Sequence, residues 1–424
     1  MKKINSILQE VLQKASPPKQ ELASIKELVD DFLIKLTKRI KALNIKAEVF
    51  VGGSFAKGTV IKKDPHDIDV FLRFEKHENL SETTEKILKN FKNVEKIHGS
   101  RDYFRIKLKE NAYLELVPVK KINNPKQAEN ITDLSYSHVK YIKSRIKNQK
   151  IINDIRIAKA FCYANNCYGA ESYIRGFSGY ALELLVYHYK GFVKFLKAMV
   201  KVKPDTKLII DIEKFYKNKR DIMIDINTSK LESPVILIDP TYKQRNTLAA
   251  LTQETFEKFQ KQAIKFLKSP SLNAFEIRKT DLEKIKKEAK AKSHEFILLE
   301  ADTDKQPGDI AGSKLLKFYR HLEEEIKPFF DIKNKGFNYN KEKTARCFFV
   351  VKSKGEIIVN GPKAEDKENV LRFRKKHKNI FTSKKKIYAR EKIKGNLKDF
   401  IENWKSKNKQ KIIGMSVIKL ERVG

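Results

Sequence analysis

The stretch from Gly52 to Phe71, GGSFAKGTVIKKDPHDIDVF, limits the fold more than any other part of the chain. A glycine pair ends one apolar run, and a second apolar run begins at Asp67-Ile68-Asp69. Residues two apart on a strand face the same way, so the Cα atoms of Asp67 and Asp69 are expected about 6.5 Å apart. Neighbouring carboxylates repel each other unless a cation lies between them. The stretch therefore predicts a strand that could hold a pair of divalent ions about 4 Å apart.

A third carboxylate and a hydroxyl extend this candidate site. Glu115 lies in an otherwise apolar strand, Tyr113 to Val119, where a carboxylate is costly to bury without a partner such as a shared metal ion. Ser54 follows the glycine pair, which lets backbone N–H groups and the hydroxyl approach phosphate oxygens. Each feature alone has a simpler explanation: an exposed strand end, a plain turn or an edge residue facing water. Their order along the chain favours the metal site.

The hydrophobic pattern divides the chain into three regions. Residues 1–135 alternate helices and strands, and residues 136–255 are mainly helical. Residues 256–424 have a β-α-β-β order that suits a small split sheet of the RNA-recognition-motif (RRM) or ferredoxin-like type, with a basic tail. In this last region, Thr344 to Lys352 and Glu356 to Val359 are expected to pair as a hairpin. The fold class is α+β, with several domains.

The charge balance favours a polyanionic partner. The 424 residues contain 90 Lys and Arg against 53 Asp and Glu, a formal net charge of +37. Such a chain is expected to bind nucleic acid or an acidic surface. A general lysine bias of the genome is the alternative, because net charge describes association and not fold.

Other features indicate a soluble, cytoplasmic protein with no membrane partner. Cys162, Cys167 and Cys347 form no C-x-x-C pair, so a disulfide framework or zinc ribbon is not expected. The N-terminus has no continuous apolar segment typical of a signal peptide. The most apolar stretch, residues 176–200, contains five charged or histidine residues and is therefore predicted as core helix instead of a membrane span.

The stretch from Gly52 to Phe71 resembles the signature of the nucleotidyltransferase superfamily, which includes DNA polymerase beta, poly(A) polymerases and CCA-adding enzymes. In these proteins G-S is followed by D-x-D on the next strand. Further motifs resemble the archaeal-type (class I) CCA-adding enzymes: Tyr168-Gly169-Ala170-Glu171, Ile174 to Tyr180 (IRGFSGY), Asp239-Pro240, Arg245-Asn246 and Gly361-Pro362. The resemblance implies a polymerase-beta-like nucleotidyltransferase head, a mainly helical central domain, an RRM/ferredoxin-like body and a basic tail.

The resemblance also implies roles for individual residues. Asp67, Asp69 and Glu115 stand at the positions of the family's metal-binding carboxylates, with Mg²⁺ as the expected ion. The positions that match nucleotide contacts are Ser54, Lys57, His138, Lys159, Tyr168 and Arg245, of which Arg245 falls where the family reads the incoming C or A. The family usually has Arg at the Lys57 position and Asp at the Glu115 position.

These positions imply template-independent addition of C, C and A to the 3′ end of tRNA, with CTP and ATP as substrates. The basic C-terminal region would bind the tRNA acceptor stem. The alternatives are addition of only CC or only A, another nucleotidyltransferase acting on RNA ends or small molecules, and an RNA-binding homologue whose active site has decayed. The sequence leaves a homodimer open.

Overall fold

In the computed structural model, Pro17 and Pro18 separate the first two helices, since proline cannot continue a helix. This structure describes residues 2–62, 65–76, 79–204, 206–277 and 280–423. Helix α1 spans Lys2–Ala15 and helix α2 spans Lys19–Ala42. Apolar residues at three- and four-residue steps form the buried side of α2: Ile25, Val29, Phe32, Leu36 and Ile40.

A mixed five-stranded sheet follows α2. Its elements are β1 (Ala47–Val51), α3 (Gly53–Ala56), β2 (His66–Phe74), α4 (Leu80–Leu88), β3 (Val94–Ile97), β4 (Tyr103–Lys109) and β5 (Ala112–Lys120). The strand order is β1-β2-β5-β4-β3. Strands β2 and β5 pair in parallel, and the other pairs are antiparallel. One face of the sheet packs on α2 and α4, which confirms the predicted α/β character of this region.

The next part is mainly helical, also as predicted. Its helices are α5 (Ser135–Arg145), α6 (Gln149–Ala164), α7 (Gly179–His188), α8 (Phe192–Met199), α9 (Lys219–Asp225) and α10 (Gln253–Lys268). A small sheet in the order β6-β7-β8 contains β6 (Leu208–Ile210), β7 (Val235–Asp239) and β8 (Tyr242–Asn246). Short 3-10 helices span Pro125–Gln127, Ile131–Leu134, Thr228–Lys230 and Leu272–Phe275. The core helix expected within residues 176–200 is broken at Gly191, which has φ +129° and separates α7 from α8.

The chain divides into two compact units, residues 1–278 and 279–424. The predicted division after residues 135 and 255 stays a prediction. Its second boundary falls at the beginning of α10, whose buried phenylalanines pack in the core of the first unit together with α6, α7 and α8. Helix α10 therefore belongs to the first unit and not to the C-terminal region in which the sequence pattern placed it.

The second unit contains two antiparallel sheets. Its elements are α11 (Leu282–Ala291), β9 (Glu295–Asp302), α12 (Asp309–Ile326), β10 (Phe330–Tyr339), β11 (Thr344–Ser353), β12 (Glu356–Lys363), α13 (Lys367–Lys376), β13 (Asn379–Ser383), β14 (Lys386–Lys392), α14 (Leu397–Lys407), α15 (Lys409–Gly414) and β15 (Lys419–Arg422). One sheet has the order β10-β11-β9-β15 and the other the order β12-β14-β13.

The expected hairpin of β11 with β12 is wrong. Strand β11 pairs with β10 and β9, whereas β12 pairs with β14 in the other sheet. Strand β10 was missed because its sequence, FDIKNKGFNY, is mostly polar and partly exposed and therefore lacks a clear apolar alternation. The sequence pattern therefore predicted β12 as the neighbour of β11 instead of β10.

The three cysteines of the chain are buried. All three cysteines are free thiols in the interior, Cys162 and Cys167 in the first unit and Cys347 in the second. Burial raises the pKa of the Cys347 thiol to about 12. Within the described ranges, no helix has both the length and the apolar character that crossing a membrane requires.

Phe259 tests the core that holds α10 in the first unit. Its ring centroid lies 4.8 Å from that of Phe177 and 5.5 Å from that of Phe195. Phe259→Ala should lower the free energy of unfolding by about 3–5 kcal/mol, because it leaves a cavity among these rings. Ile264→Ala, on the same helix but 40% exposed, is the control and should cost no more than about 0.5 kcal/mol. Urea unfolding followed by circular dichroism measures both, and equal losses would contradict the packing of α10.

Candidate functional site

Three carboxylates lie on one face of the five-stranded sheet. Ile68 and Val70 are buried in the core on the opposite face, so Asp67 and Asp69, which alternate with them, face away from α2 and α4. The parallel register places Asp69 opposite Glu115. The structure therefore places the three residues that the sequence predicted as metal ligands on the same face of two neighbouring strands.

The glycine turn before α3 presses directly against Asp69. The Gly52 N–H donates a hydrogen bond of 2.8 Å to the backbone carbonyl of Asp69. Gly53 has φ +57°, and a Cβ atom at this residue would lie 1.6 Å from Asp69 Oδ2. Only glycine combines this backbone conformation with so close an approach. The turn thus places Ser54, the first residue after the glycine pair, beside the carboxylates.

Asp67 has a cationic neighbour on the same face of the sheet. Arg105 donates a hydrogen bond of 3.3 Å to Asp67 Oδ1, and its guanidinium carbon lies 4.0 Å from the ring centroid of Tyr113. Among the side chains described, no three from His, Cys, Asp or Glu converge as a metal-binding cluster. The all-oxygen donor set and the register of Asp67, Asp69 and Glu115 nevertheless fit a hard divalent cation. Such a cation would compete with Arg105 for Asp67.

A cavity of about 40 Å³ lies next to the carboxylate face. Four predicted site residues line it: Ser54, Asp67, Lys159 and Tyr168. The other lining residues are Thr59, Val60 and Ile61, from the segment between α3 and β2, and His66, the first residue of β2. A Cβ atom at Gly179 would lie 2.9 Å from the Tyr168 hydroxyl, so the beginning of α7 packs against this tyrosine. Burial raises the pKa of Tyr168, which keeps it a hydrogen-bond donor.

Glu183 of α7 connects two of the predicted cations. It is fully buried and accepts hydrogen bonds from Lys57 Nζ at 2.6 Å and from Lys159 Nζ at 2.8 Å. The Thr59 hydroxyl donates a third bond to Glu183, of 2.5 Å. Burial acts to raise the pKa of Glu183, but the charges and hydrogen bonds of the two lysines outweigh it and lower the pKa to about 2. Glu183 is therefore an anion at neutral pH.

A second buried carboxylate, Asp239 at the end of β7, holds the other two predicted contacts. Its Oδ2 lies 2.9 Å from His138 Nε2 and accepts a 2.5 Å hydrogen bond from Arg245. The Tyr180 hydroxyl donates to Oδ1 at 3.2 Å, and the Tyr180 ring stacks on His138 with centroids 4.1 Å apart. Burial acts to raise the pKa of Asp239, but His138 and Arg245 outweigh it and lower the pKa. Burial lowers the pKa of His138, partly opposed by Asp239.

The sequence indicated no role for Glu183, Tyr180 or Asp239, although Tyr180 and Asp239 lie in motifs named above. The available signal for Glu183 was a carboxylate inside the apolar run ALELLV, which demands a buried partner. For Asp239 the signal was an acidic residue at the end of the wholly apolar strand β7. Their partners come from residues as far as 126 positions away, so sequence alone could not name them.

Two family profiles match consecutive parts of the chain. The nucleotidyltransferase domain profile matches residues 33–152, and the profile for the second domain of tRNA nucleotidyltransferases matches residues 153–276. The first covers the sheet with the three carboxylates, and the second covers the helices that carry Lys159 and Glu183 and the strand that carries Arg245. Together, the fold and the site define a nucleotidyltransferase.

Curated relatives narrow this class. The CCA-adding enzyme of Nanoarchaeum equitans is 40% identical over 63% of this chain and 66% of its own length, which is just under two thirds. The CCA-adding enzymes of Methanocaldococcus jannaschii and Thermococcus kodakarensis are each 27% identical, over 91% and 96% of this chain and over 87% and 90% of their own lengths. The chain thus contains both domains of a tRNA nucleotidyltransferase, and the relatives that match it are archaeal CCA-adding enzymes.

Solved structures share the fold at low sequence identity. A cytoplasmic RNA terminal U-transferase aligns with a TM-score of 0.51 at 12% identity, over 66% of this chain and all of that one. The poly(U) polymerase Cid1 aligns with a TM-score of 0.51 at 14% identity, over 65% of this chain and 99% of that one. These matches support a polymerase-beta-like nucleotidyltransferase fold for about two thirds of the chain.

Gly53 and Gly58 provide a matched test of the turn. Both have positive φ, but a Cβ atom at Gly58 would have no neighbour within 4 Å. Gly58→Ala should therefore cost only the backbone strain, about 1 kcal/mol. Gly53→Ala should cost about 1–3 kcal/mol more, because its methyl group collides with Asp69. Urea unfolding compares the two variants, and equal losses would contradict the contact with Asp69.

Proposed function

We propose that this protein adds C, C and A to the 3′ end of tRNA without a template, using CTP and ATP and releasing pyrophosphate. The observation that carries the proposal is the placement of Asp67, Asp69 and Glu115 on one sheet face, beside a cavity lined by Ser54, Lys159 and Tyr168. Similarity to CCA-adding enzymes supports tRNA as the acceptor and CTP and ATP as the substrates.

The reaction joins the tRNA 3′-hydroxyl oxygen to the α-phosphorus of the nucleotide and breaks the bond from that phosphorus to the bridging oxygen of the β-phosphate. The hydroxyl proton leaves, and a carboxylate on the sheet face is the natural acceptor. Asp67, Asp69 and Glu115 would hold Mg²⁺, which when bound lowers the pKa of the hydroxyl and neutralises charge on the departing pyrophosphate. The Ser54 hydroxyl and the backbone of α3 would orient the triphosphate.

The Asp239 cluster would contact the base and sugar of the incoming nucleotide. Arg245 carries fixed donors suited to a planar base, and Asp239 and His138 restrict its orientation. Tyr180 supplies an aromatic ring that stacks on His138. The guanidinium of Arg245 would therefore already be fixed in position when a base hydrogen-bonds to it. A fixed donor arrangement would favour bases whose acceptors match it.

Three alternatives remain distinct from full CCA addition. Addition of only CC or only A would use the same carboxylates, so the product on tRNA decides between them. A small-molecule acceptor would need no basic second unit, and this argues against it. An RNA-binding homologue without activity is disfavoured because all three carboxylates are present.

We further propose that β9, α12, β10, β11, α14 and β15 form an RRM/ferredoxin-like body. Along the chain they follow the order β-α-β-β-α-β, and the four strands lie side by side as β10-β11-β9-β15 with antiparallel pairing throughout. This is the arrangement of a split βαβ sheet. The segment from β12 to β14 is inserted between its third strand and its second helix.

The inserted sheet carries groups suited to RNA. The rings of Phe381 and Tyr388 stack with centroids 5.5 Å apart, and the Arg390 guanidinium carbon lies 5.2 Å from the Phe381 centroid. At the tip of the β13–β14 hairpin, Lys384 and Lys385 have φ values of +45° and +61°. A two-residue turn of this kind favours Asn-Gly, so two adjacent lysines there accept backbone strain in order to present charge. These features support contact with tRNA phosphates and bases.

Asp69→Asn tests the catalytic role of the carboxylate face. With tRNA transcripts that end at the discriminator base, labelled CTP or ATP and Mg²⁺, the variant should lose at least about 10³-fold in rate. Its tRNA affinity, measured by gel shift, should stay within about twofold of the wild-type value, because tRNA binding does not require the metal site. Glu82→Gln, at an exposed position of α4, is the control and should retain activity. Wild-type protein that extends none of the transcripts would refute the proposed function.

The hairpin lysines can be tested with a variant that relieves their strain. Lys384→Asn with Lys385→Gly should stabilise the turn by up to about 2 kcal/mol, since each left-handed residue costs about 1 kcal/mol. It should also reduce the slope of log affinity for tRNA against log salt concentration by about one unit for each lysine.

The matched control removes two exposed lysines from α2, Lys38→Gln with Lys41→Gln, and thus changes the net charge equally. Its salt slope should remain that of the wild type. Equal slopes for the hairpin variant and this control would assign the hairpin lysines to general surface charge.

A further inference from the structure

Lys57 and Lys159 occupy different environments around the carboxylate they share. The Lys159 ammonium group donates to Glu183 Oε1, to the Thr59 hydroxyl at 2.9 Å and to the Thr59 carbonyl at 3.2 Å. An ammonium group has three N–H bonds, so these contacts with Glu183 and Thr59 use all of them. Its side chain is 2% exposed. Lys159 is thus held within the protein interior.

Lys57 has donors to spare. In the described part of the chain it donates to Glu183 alone, which leaves two N–H bonds for a ligand. Its side chain is 8% exposed, and it follows directly after α3, the helix that carries Ser54. The Lys57 ammonium group also lies 5.9 Å from the ring centroid of Tyr180, whose hydroxyl donates to Asp239. Lys57 therefore lies between Glu183 and the residues around Asp239.

Glu183 is shared by two ammonium groups that differ in the donors they have left. The contacts with Glu183 and Thr59 use all three N–H bonds of Lys159, whereas Lys57 keeps two among the residues described. Unused N–H bonds of a charged group are costly in the interior unless an anion or water approaches them. An anionic ligand would therefore bind at Lys57.

We propose that Glu183 is a positioning residue that holds Lys57 against the triphosphate, and that Lys159 serves as the buried counter-charge of Glu183. This inference rests on the proposed function only in that a nucleoside triphosphate binds beside Ser54. Glu183 fixes the Lys57 ammonium group before the nucleotide arrives, so little side-chain ordering is needed on binding. The point charge of lysine then acts from a defined place, although it lacks the fork of an arginine.

A double-mutant cycle between Lys57→Met and Glu183→Gln tests the proposal. In the wild-type background, Glu183→Gln should raise the KM for CTP and for ATP about tenfold, as expected for loss of one charge-assisted contact, and leave the KM for tRNA unchanged. In the Lys57→Met background, the same change should raise the nucleotide KM less than about twofold, because the lysine that Glu183 positions is gone. Equal effects in both backgrounds would overturn the proposal.

A second set of variants with one buried lysine fewer controls for unfolding. Glu183→Gln leaves two buried ammonium groups without their anion, so the cycle is repeated with Lys159→Met added to every member. Thermal unfolding verifies that each protein is folded. Glu183→Asp retains the charge with a shorter reach and should give a nucleotide KM between those of the wild type and Glu183→Gln. A Glu183→Asp value no better than that of Glu183→Gln would assign Glu183 a purely structural role.

Equilibrium binding of CTP with Mg²⁺ separates this inference from the proposed function. If the wild type binds CTP with the predicted coupling but extends no tRNA, the positioning role stands and the proposed function fails. If the wild type extends tRNA but the two substitutions act independently on CTP binding, only the positioning role fails. A wild type that binds no CTP overturns both.

Discussion

The parallel pairing of β2 with β5 is the constraint on which the active-site geometry depends. It places Asp69 opposite Glu115, whose neighbours Leu114 and Leu116 are buried in the core of the sheet. A shift of one residue in register would turn Glu115 into that core and Leu114 or Leu116 toward the site. The hydrophobic core and the carboxylate face therefore depend on each other, because a shift of one residue would disrupt both.

Two buried carboxylates hold the cationic side chains of the helical region in place. Glu183 and Asp239 are both fully buried, and each binds two cationic or histidine side chains. For each carboxylate, one of these partners lies more than 100 positions away in the chain. Buried carboxylates of this kind contribute little net stability, because desolvation offsets most of the attraction. Their value is in geometry: they fix long, flexible side chains at defined points around a site that must accept a highly charged ligand.

Much of this architecture could be predicted from sequence. Strands β1, β2 and β5 and the helical middle region followed from the hydrophobic pattern, and the Asp-x-Asp spacing located one side of the site. Strand β10 could not be predicted because it is mostly polar, and the break at Gly191 depends on a close approach to Asp154. The partners of Glu183 were also beyond reach, since they are fixed by the packing of α6 and α7 against the segment after α3.

The inserted sheet of the second unit has a consequence for how this protein can change over evolution. The insertion begins just after Gly355 and ends just before Ile393, and these residues are joined by a 2.9 Å backbone hydrogen bond. The buried cluster of the four-stranded sheet takes its members from before residue 352 and after residue 396, so no buried residue of β12 to β14 belongs to it. Because its ends are close together, the segment behaves as a detachable module. Its surface can therefore diversify, shorten or be exchanged between relatives while the sheet beneath keeps its core intact.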